Sequence, residues 1–155
     1  MSRAAELWAK ISPGLANRPG SALFSRAHAW LVRRSGGRLK SFVGVEVLIL
    51  RTTGRRSGKP RESPMFFVEH GDAFAVVASN AGESRTPAWW LNLQVHPDAE
   101  AYVKGRSIPV RGREATRQES EALWPRFDAL YRGYERYREL STRELPVIML
   151  EPRAE

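Results

Sequence analysis

Between Arg51 and Arg61 the chain reads Arg51-Thr52-Thr53-Gly54-Arg55-Arg56-Ser57-Gly58-Lys59-Pro60-Arg61, five cations and three hydroxyls around two glycines. Glycine lets backbone amides approach an oxyanion, hydroxyls donate further hydrogen bonds, and arginine forks match phosphate or carboxylate oxygens in paired geometry. The stretch therefore reads as a cradle for a phosphorylated or carboxylated ligand. Its spacing is neither that of a P-loop nor that of a dinucleotide fingerprint. From pattern alone, a solvated basic hairpin tip explains it equally well.

Two further groupings bear on the choice. Val76-Val77-Ala78-Ser79-Asn80-Ala81-Gly82 runs from a strand into small and polar residues, followed by Arg85, Trp89, Trp90 and Asn92. Small side chains admit a flat ring, Ser79 and Asn80 can bond its heteroatoms, and tryptophan offers an apolar wall; ordinary core tryptophan beside a loop is the competing account. Tyr131, Tyr134 and Tyr137 recur every third residue, which in a helix spreads them over an arc of about 120°. Such a face can sandwich an aromatic acceptor and hydrogen-bond its oxygen, or can simply be half-buried packing.

Composition narrows the chemistry. With no cysteine among 155 residues, disulfide scaffolds, thiolate metal sites and cysteine nucleophiles are excluded, and redox chemistry needs a borrowed cofactor. His28, His70 and His96 lie at no metal-ligand spacing, so no metal is expected. Neither a nucleophilic triad nor an isolated pair of acids is visible. A net charge of +8 attracts polyanions: nucleic acid, an anionic membrane or a multiply charged small ligand. The absence of a recognised nucleic-acid motif argues against the first. No apolar run approaches the ~20 residues of a membrane span, so the expected location is cytoplasmic, with peripheral contact at the inner face of the membrane left open.

The elements that must position these groups follow from periodicity. Residues 1–40 read as a helical extension broken at Pro13, Gly14, Pro19, Gly20, Gly36 and Gly37. Within it a basic amphipathic helix runs from Ser21 to Arg34 with Phe24, Ala27, Trp30 and Leu31 on one face; packing on the main domain is favoured over adsorption to a membrane. Residues 41–155 then form one domain. A buried strand spans Val43–Thr53, a second Arg61–Glu69 and a third Ala73–Ser79, taken as adjacent neighbours. Thr86 as N-cap and Pro87 open a helix ending before Pro97. Strands Ala99–Lys104 and Ser107–Ala115 flank a Gly105-Arg106 turn, with Pro109 marking an edge or bulge. Thr116 and Glu119 have capping-box spacing for a helix interrupted near Pro125 and continuing towards Leu140. Leu145–Leu150 is the last strand. The expected fold is α+β: a split β-barrel of about six mostly antiparallel strands, with helices inserted after the third and fifth.

Order and spacing of Thr52-Thr53-Gly54-Arg55-Arg56-Ser57-Gly58, Pro60-Arg61, Val77-Ala78-Ser79, Pro87-Ala88-Trp89-Trp90-Leu91-Asn92-Leu93 and Pro146-Val147 resemble the deazaflavin-dependent nitroreductase and quinone reductase family of actinobacteria and mycobacteria. The match runs from about Val45 to Pro152, with Phe66 and Asn80 standing where the best-known member has tyrosine and lysine. The resemblance implies that Arg55, Arg56, Ser57 and Arg61, assisted by Asn92 and Asn80, hold the phosphate and glutamate tail of coenzyme F420. It implies that Pro64, Met65, Val77, Ala78, Ser79 and Trp89 line the deazaflavin, and that Ser79, Tyr131, Tyr134 and Tyr137 face a small acceptor: a quinone, nitroaromatic or activated enone. A flavin mononucleotide enzyme on the same barrel is less favoured because the surplus of arginines suits a longer anionic tail. A non-enzymatic binder of nucleic acid or anionic membrane is the other competing reading, and monomer and homodimer are both compatible with the sequence.

Overall fold

The computed structural model describes residues 21–36 and 44–154. The breakers at Pro13, Gly14, Pro19, Gly20 and Gly37, and the side chain of Phe24, lie outside the described residues. Helix α1 (Ser21–Arg34) is followed by strands β1 (Val47–Thr53), β2 (Pro60–Phe66), β3 (Val68–His70) and β4 (Ala73–Val77). Helix α2 (Ala88–Val95), strands β5 (Asp98–Val103) and β6 (Arg106–Glu114), helices α3 (Arg117–Leu130) and α4 (Gly133–Leu140), and strand β7 (Val147–Pro152) complete the order. The strands make one antiparallel, curled seven-stranded sheet in the order β2-β1-β5-β6-β7-β4-β3, the half-barrel expected of a split barrel.

There are seven strands rather than six because the stretch read as one strand from Arg61 to Glu69 breaks at Phe67. Its first part pairs with β1 and its last with β4, so it crosses from one edge of the sheet to the other. The second sequence-read strand therefore does pair with the first, through β2, and with the third, through β3, but at opposite edges of the sheet, and β1 and β4 are not neighbours of each other. The buried Phe67 turns into the core and meets Phe74 edge-on at 5.7 Å. The helical insertions keep their places in the chain but follow the fourth and sixth strands.

Other boundaries shift for local reasons. The β5–β6 hairpin turns at Lys104-Gly105, one residue earlier than read, with positive φ at both positions (48° and 78°) as a tight two-residue turn demands. Pro109 lies inside β6 opposite Glu100, just beyond the last β6–β7 pair at Val110 and Pro152. Its carbonyl accepts from the Arg153 amide at 3.0 Å, so its missing N–H is on the side where β7 has ended, a local edge. The N-cap of α2 is Pro87 rather than Thr86, without a side-chain cap. Helix α3 runs through Pro125 and ends at Tyr131, whose extended backbone (φ −154°, ψ 108°) separates it from α4.

Two cores flank the sheet. Leu48, Leu50, Val76, Ala78, Trp90, Leu93, Val110 and Ile148 pack with α2 on one face; Val77, Leu123, Phe127, Val147, Met149 and the three tyrosines pack with α3 and α4 on the other. Helix α1 lies on the β1–β2 edge through Ala29 and Val32, which meet Val47 and Ile49, and Arg33 pairs with Glu62 at 2.7 Å. Its buried face is therefore Ala29 and Val32, while Ala27, Trp30 and Leu31, read as the apolar face, are exposed. Small residues at the contact let the helix axis approach the strand closely.

The capping box at Thr116 forms as read: its hydroxyl accepts from the Glu119 amide at 3.2 Å, and its amide donates to the Glu119 carboxylate at 2.8 Å. Arg113 adds two 2.8 Å bonds to Glu119 and one of 2.8 Å to Glu151, tying the end of β6 to α3 and β7. The Arg113 guanidinium, and then the Thr116 amide, hold the Glu119 carboxyl down at about 2 from its ordinary 4.5. A depressed carboxyl contributes stability above its unfolded value that is lost as pH falls through the folded one. Thermal melts between pH 5 and pH 2 are therefore expected to show a steepening acid limb that Glu119→Gln flattens; an identical slope in the variant would refute the linkage.

Candidate active site

The cationic stretch is the β1–β2 hairpin tip. Thr53 pairs with Pro60, and the intervening loop is closed by the Gly54 amide on the Lys59 carbonyl and the Gly58 amide on the Gly54 carbonyl, both at 2.8 Å. Gly54 is required by space, since a Cβ there would lie 2.7 Å from Ser57 Oγ; Gly58 is required by its φ of +66°. Ser57 Oγ accepts from the Lys59 amide at 3.3 Å and lies 3.5 Å from an Arg61 guanidinium nitrogen. Arg56, Lys59 and Arg61 are exposed and Arg55 half-buried. Among the described residues none of the four is paired with a carboxylate, whereas Arg33, Lys104, Arg113 and Arg138 each are.

Asn92 connects this tip to the body of the fold. Buried on α2, it accepts from the Arg55 amide at 3.1 Å and approaches the Arg55 guanidinium at 3.4 Å, while its own amide donates to Thr52 Oγ1 at 3.2 Å. One side chain thereby satisfies a buried threonine hydroxyl and orients the first arginine of the turn. The concentration of unpaired cations over two glycines fits a ligand with several negative charges.

The ring-side residues divide between the two faces of the sheet. Met65, Ala78 and Trp89 join the core that contains Trp90, and Pro64 lies on the same edge strand opposite Ile49. Val77 points to the other face, among the tyrosines, because successive residues of a strand alternate. Beyond β4, Ser79 is buried, and Asn80 donates to the Arg85 carbonyl at 3.0 Å.

Tyr131, Tyr134 and Tyr137 come together, though not on one helix. Tyr131 precedes α4, and its ring folds back over Gly133. The rings pack edge-on or tilted at 5.7–6.0 Å, and the hydroxyls of Tyr131 and Tyr137 lie 3.4 Å apart. Phe66 meets Tyr131 at 5.1 Å. All three tyrosines are buried. Burial pushes the Tyr134 hydroxyl far above its ordinary range, leaving it a neutral group that can donate but not act as a base.

Thr52, counted from sequence among the cradle hydroxyls, is buried and its hydroxyl is taken by Asn92; Arg143, whose guanidinium donates to the carbonyls of Ala78 and Ser79 at 2.9 and 3.2 Å, was not singled out from sequence. An arginine in a loop carries no local signal for partners more than sixty positions away.

Comparison with known proteins finds relatives of one description. A protein of Mycobacterium tuberculosis described as an F420H(2)-dependent quinone reductase is 33% identical over 109 residues, 70% of this chain and 92% of its own. A second from the same organism, of the same description, is 29% identical over 130 residues, 81% and 87% of the two chains. The solved structure of an F420-H2 dependent reductase, FDR-A, superposes with a TM-score of 0.63 at 30% identity, covering 68% of this chain and 93% of that one. Another, described as a domain-swapped dimer, has a TM-score of 0.64 at 27% identity, covering 83% and 97%. The family model for F420H(2)-dependent quinone reductases matches residues 24–152, and the chain belongs to that family.

Proposed function

We propose that this protein transfers a hydride from reduced coenzyme F420 to a quinone-type acceptor. The observation that carries the reading is the β1–β2 tip, where Arg55, Arg56, Lys59 and Arg61 have no carboxylate partner among the described residues and stand beside a turn fixed by Asn92. Arg55, Arg56, Ser57 and Arg61 hold the anionic tail, with Asn92 setting the direction of Arg55 and Asn80 assisting. Pro64, Met65, Ala78, Ser79 and Trp89 line the ring, while Val77, on the other face of the sheet, backs the tyrosines. The bound deazaflavin supplies two electrons as a hydride. The chain orients the acceptor and excludes water. Ser79 or a hydroxyl of the Tyr131, Tyr134 and Tyr137 cluster donates to the acceptor oxygen, and the raised Tyr134 hydroxyl stays protonated throughout. Solvent completes protonation of the product.

The test is a fluorescence titration with oxidised coenzyme F420 and, separately, flavin mononucleotide, at low and moderate salt. Saturable binding that prefers the deazaflavin and weakens with salt is expected, followed by reduction of menadione with the reduced coenzyme. Equal affinity for flavin mononucleotide, or no binding to either, would overturn the reading.

Peripheral membrane contact through α1 is the finer part of the proposal. Trp30 and Leu31 are 57% and 46% exposed, Arg26 and Arg34 are exposed beside them, and the Arg34 guanidinium lies 5.4 Å from the Trp30 ring centre. Apolar insertion and attraction to anionic headgroups add at such a face. The protein is expected to float with phosphatidylglycerol liposomes and not with neutral ones, and the Trp30→Ala, Leu31→Ser double variant to stay behind. Flotation that this variant does not alter would remove α1 from the account.

A further inference from the structure

The β4–β7 ladder ends at Val77 and Val147. One residue further, the Ala78 amide still donates to the Pro146 carbonyl at 3.0 Å, and the chain then leaves the sheet in a strained turn. Asn80 and Ala81 both have positive φ, 44° and 55°, followed by Gly82 at 81°. Asparagine tolerates that region, but alanine rarely adopts it. Strain of this kind persists only where the surroundings hold it. Here one support is close packing: a Cβ on Gly82 would lie 2.9 Å from both Cα and the carbonyl oxygen of Tyr137.

The other support is Arg143. One guanidinium nitrogen donates to the carbonyls of Ala78 and Ser79 at 2.9 and 3.2 Å and lies 3.5 Å from that of Arg85; a second donates to Glu144 at 3.1 Å. The Ser141 hydroxyl fixes its backbone, accepting from the Arg143 amide at 3.2 Å and donating to the Arg143 carbonyl at 2.8 Å. No carboxylate pairs with Arg143 among the described residues, and its Nε is buried without a partner. Other guanidiniums of this chain, such as Arg113 and Arg138, are directed at acids; this one is committed to main-chain oxygens at both ends of a single loop. Burial without an acid lowers its pKa from the ordinary arginine value.

We propose that Arg143 is a positioning residue: by clamping the carbonyls of Ala78 and Ser79 and closing on Arg85, it holds the 79–82 turn and fixes Ser79 for its part in the reaction. This rests on the assignment of Ser79 to the ring and acceptor site. A lysine would lack the second nitrogen, the one that holds the Glu144 carbonyl and so fixes the direction of the first, and its ammonium on a flexible stem would be held less firmly at the Ala78 and Ser79 carbonyls.

The experiment compares the parent with Arg143→Ala and Arg143→Lys. Without coenzyme, hydrogen exchange is followed at the Gly82 and Glu83 amides, which donate to Ser79 and Asn80. Both variants are expected to exchange about tenfold faster there, since charge-assisted bonds are lost from the loop, with amides of β1 and β6 unchanged. With reduced coenzyme and menadione, kcat is expected to fall about tenfold in both variants, and coenzyme affinity by less than kcat, since the arginines of the β1–β2 tip are untouched. Free guanidinium ion at non-denaturing concentration is expected to restore part of the Arg143→Ala rate and none of the Arg143→Lys rate. Unchanged exchange in both variants overturns the clamp; faster exchange with parental kcat reduces Arg143 to a structural tie and overturns its role in the reaction. A parent that neither binds the coenzyme nor reduces menadione defeats the functional reading instead, and the exchange measurement still decides the clamp. If Arg143→Ala fails to fold, Arg143→Lys carries the same comparison.

Discussion

Arg61→Ala is expected to weaken binding of coenzyme F420 by about ten- to a hundredfold, from the ~1.5–3 kcal/mol of a hydrogen bond to a charged group. The melting temperature is expected to stay within about 2 °C of the parent, as for most exposed substitutions. Arg61 lies at the start of β2, exposed, and its closest polar contact is Ser57 Oγ at 3.5 Å. Nothing in the fold depends on that contact, so the two effects separate cleanly. Arg55→Ala is the instructive companion, because the backbone bond from residue 55 to Asn92 survives the substitution and only the 3.4 Å guanidinium contact is lost. Both variants should bind with a shallower salt dependence, since each removes one cation from the tip. Fluorescence titration at two salt concentrations with parallel melts checks all three statements. Parental affinity in both variants would return the turn to a solvated hairpin tip.

That separation was partly legible in the sequence. Local signals carried it: two glycines among cations marked the tip, the apolar residues from Val45 to Leu50 marked a buried strand, and Thr116 with Glu119 marked a capped helix start. Each is decided within a few residues, where propensity and turn chemistry act. The break at Phe67 was not legible, because which edge a strand joins is settled by partners far along the chain: Met65 faces Leu48, while Val68 faces Ala75. The passage of α3 through Pro125 was not legible either. A mid-helix proline costs ~3 kcal/mol or more and frees a carbonyl, but Pro125 and Glu121 are exposed, so water can solvate that carbonyl while Leu123 and Phe127 bury completely on the other side. On α1, taking Ala27, Trp30 and Leu31 for the buried face failed because, among the described side chains, it is Ala29 and Val32 that pack against Val47 and Ile49 of β1.

The tyrosine cluster shows the same limit and yields the second large effect. Spacing of three suggested one helical arc, but Tyr131 sits in extended backbone and reaches its partners by folding its ring over Gly133. A Cβ at that glycine would collide with Cε1, Cζ and the hydroxyl of Tyr131. The ring has nowhere to retreat: it is 2% exposed and hemmed in by Phe66, Tyr134 and Tyr137. Gly133→Ala is therefore expected to cost about 3 kcal/mol, the upper end of ordinary overpacking. In a domain of this size that lowers the melting temperature by roughly 6–12 °C. It should also lower menadione turnover far more than coenzyme affinity, because the new methyl strikes the tyrosine cluster and none of the cations of the tip. Tyr131→Leu removes the ring atoms that the new methyl would strike, so the double variant should be less destabilised than the sum of the two single changes. Additive losses in that cycle would mean that Gly133 serves its own helix rather than the ring above it, and the tyrosine cluster would have to be held by α3 and α4 alone.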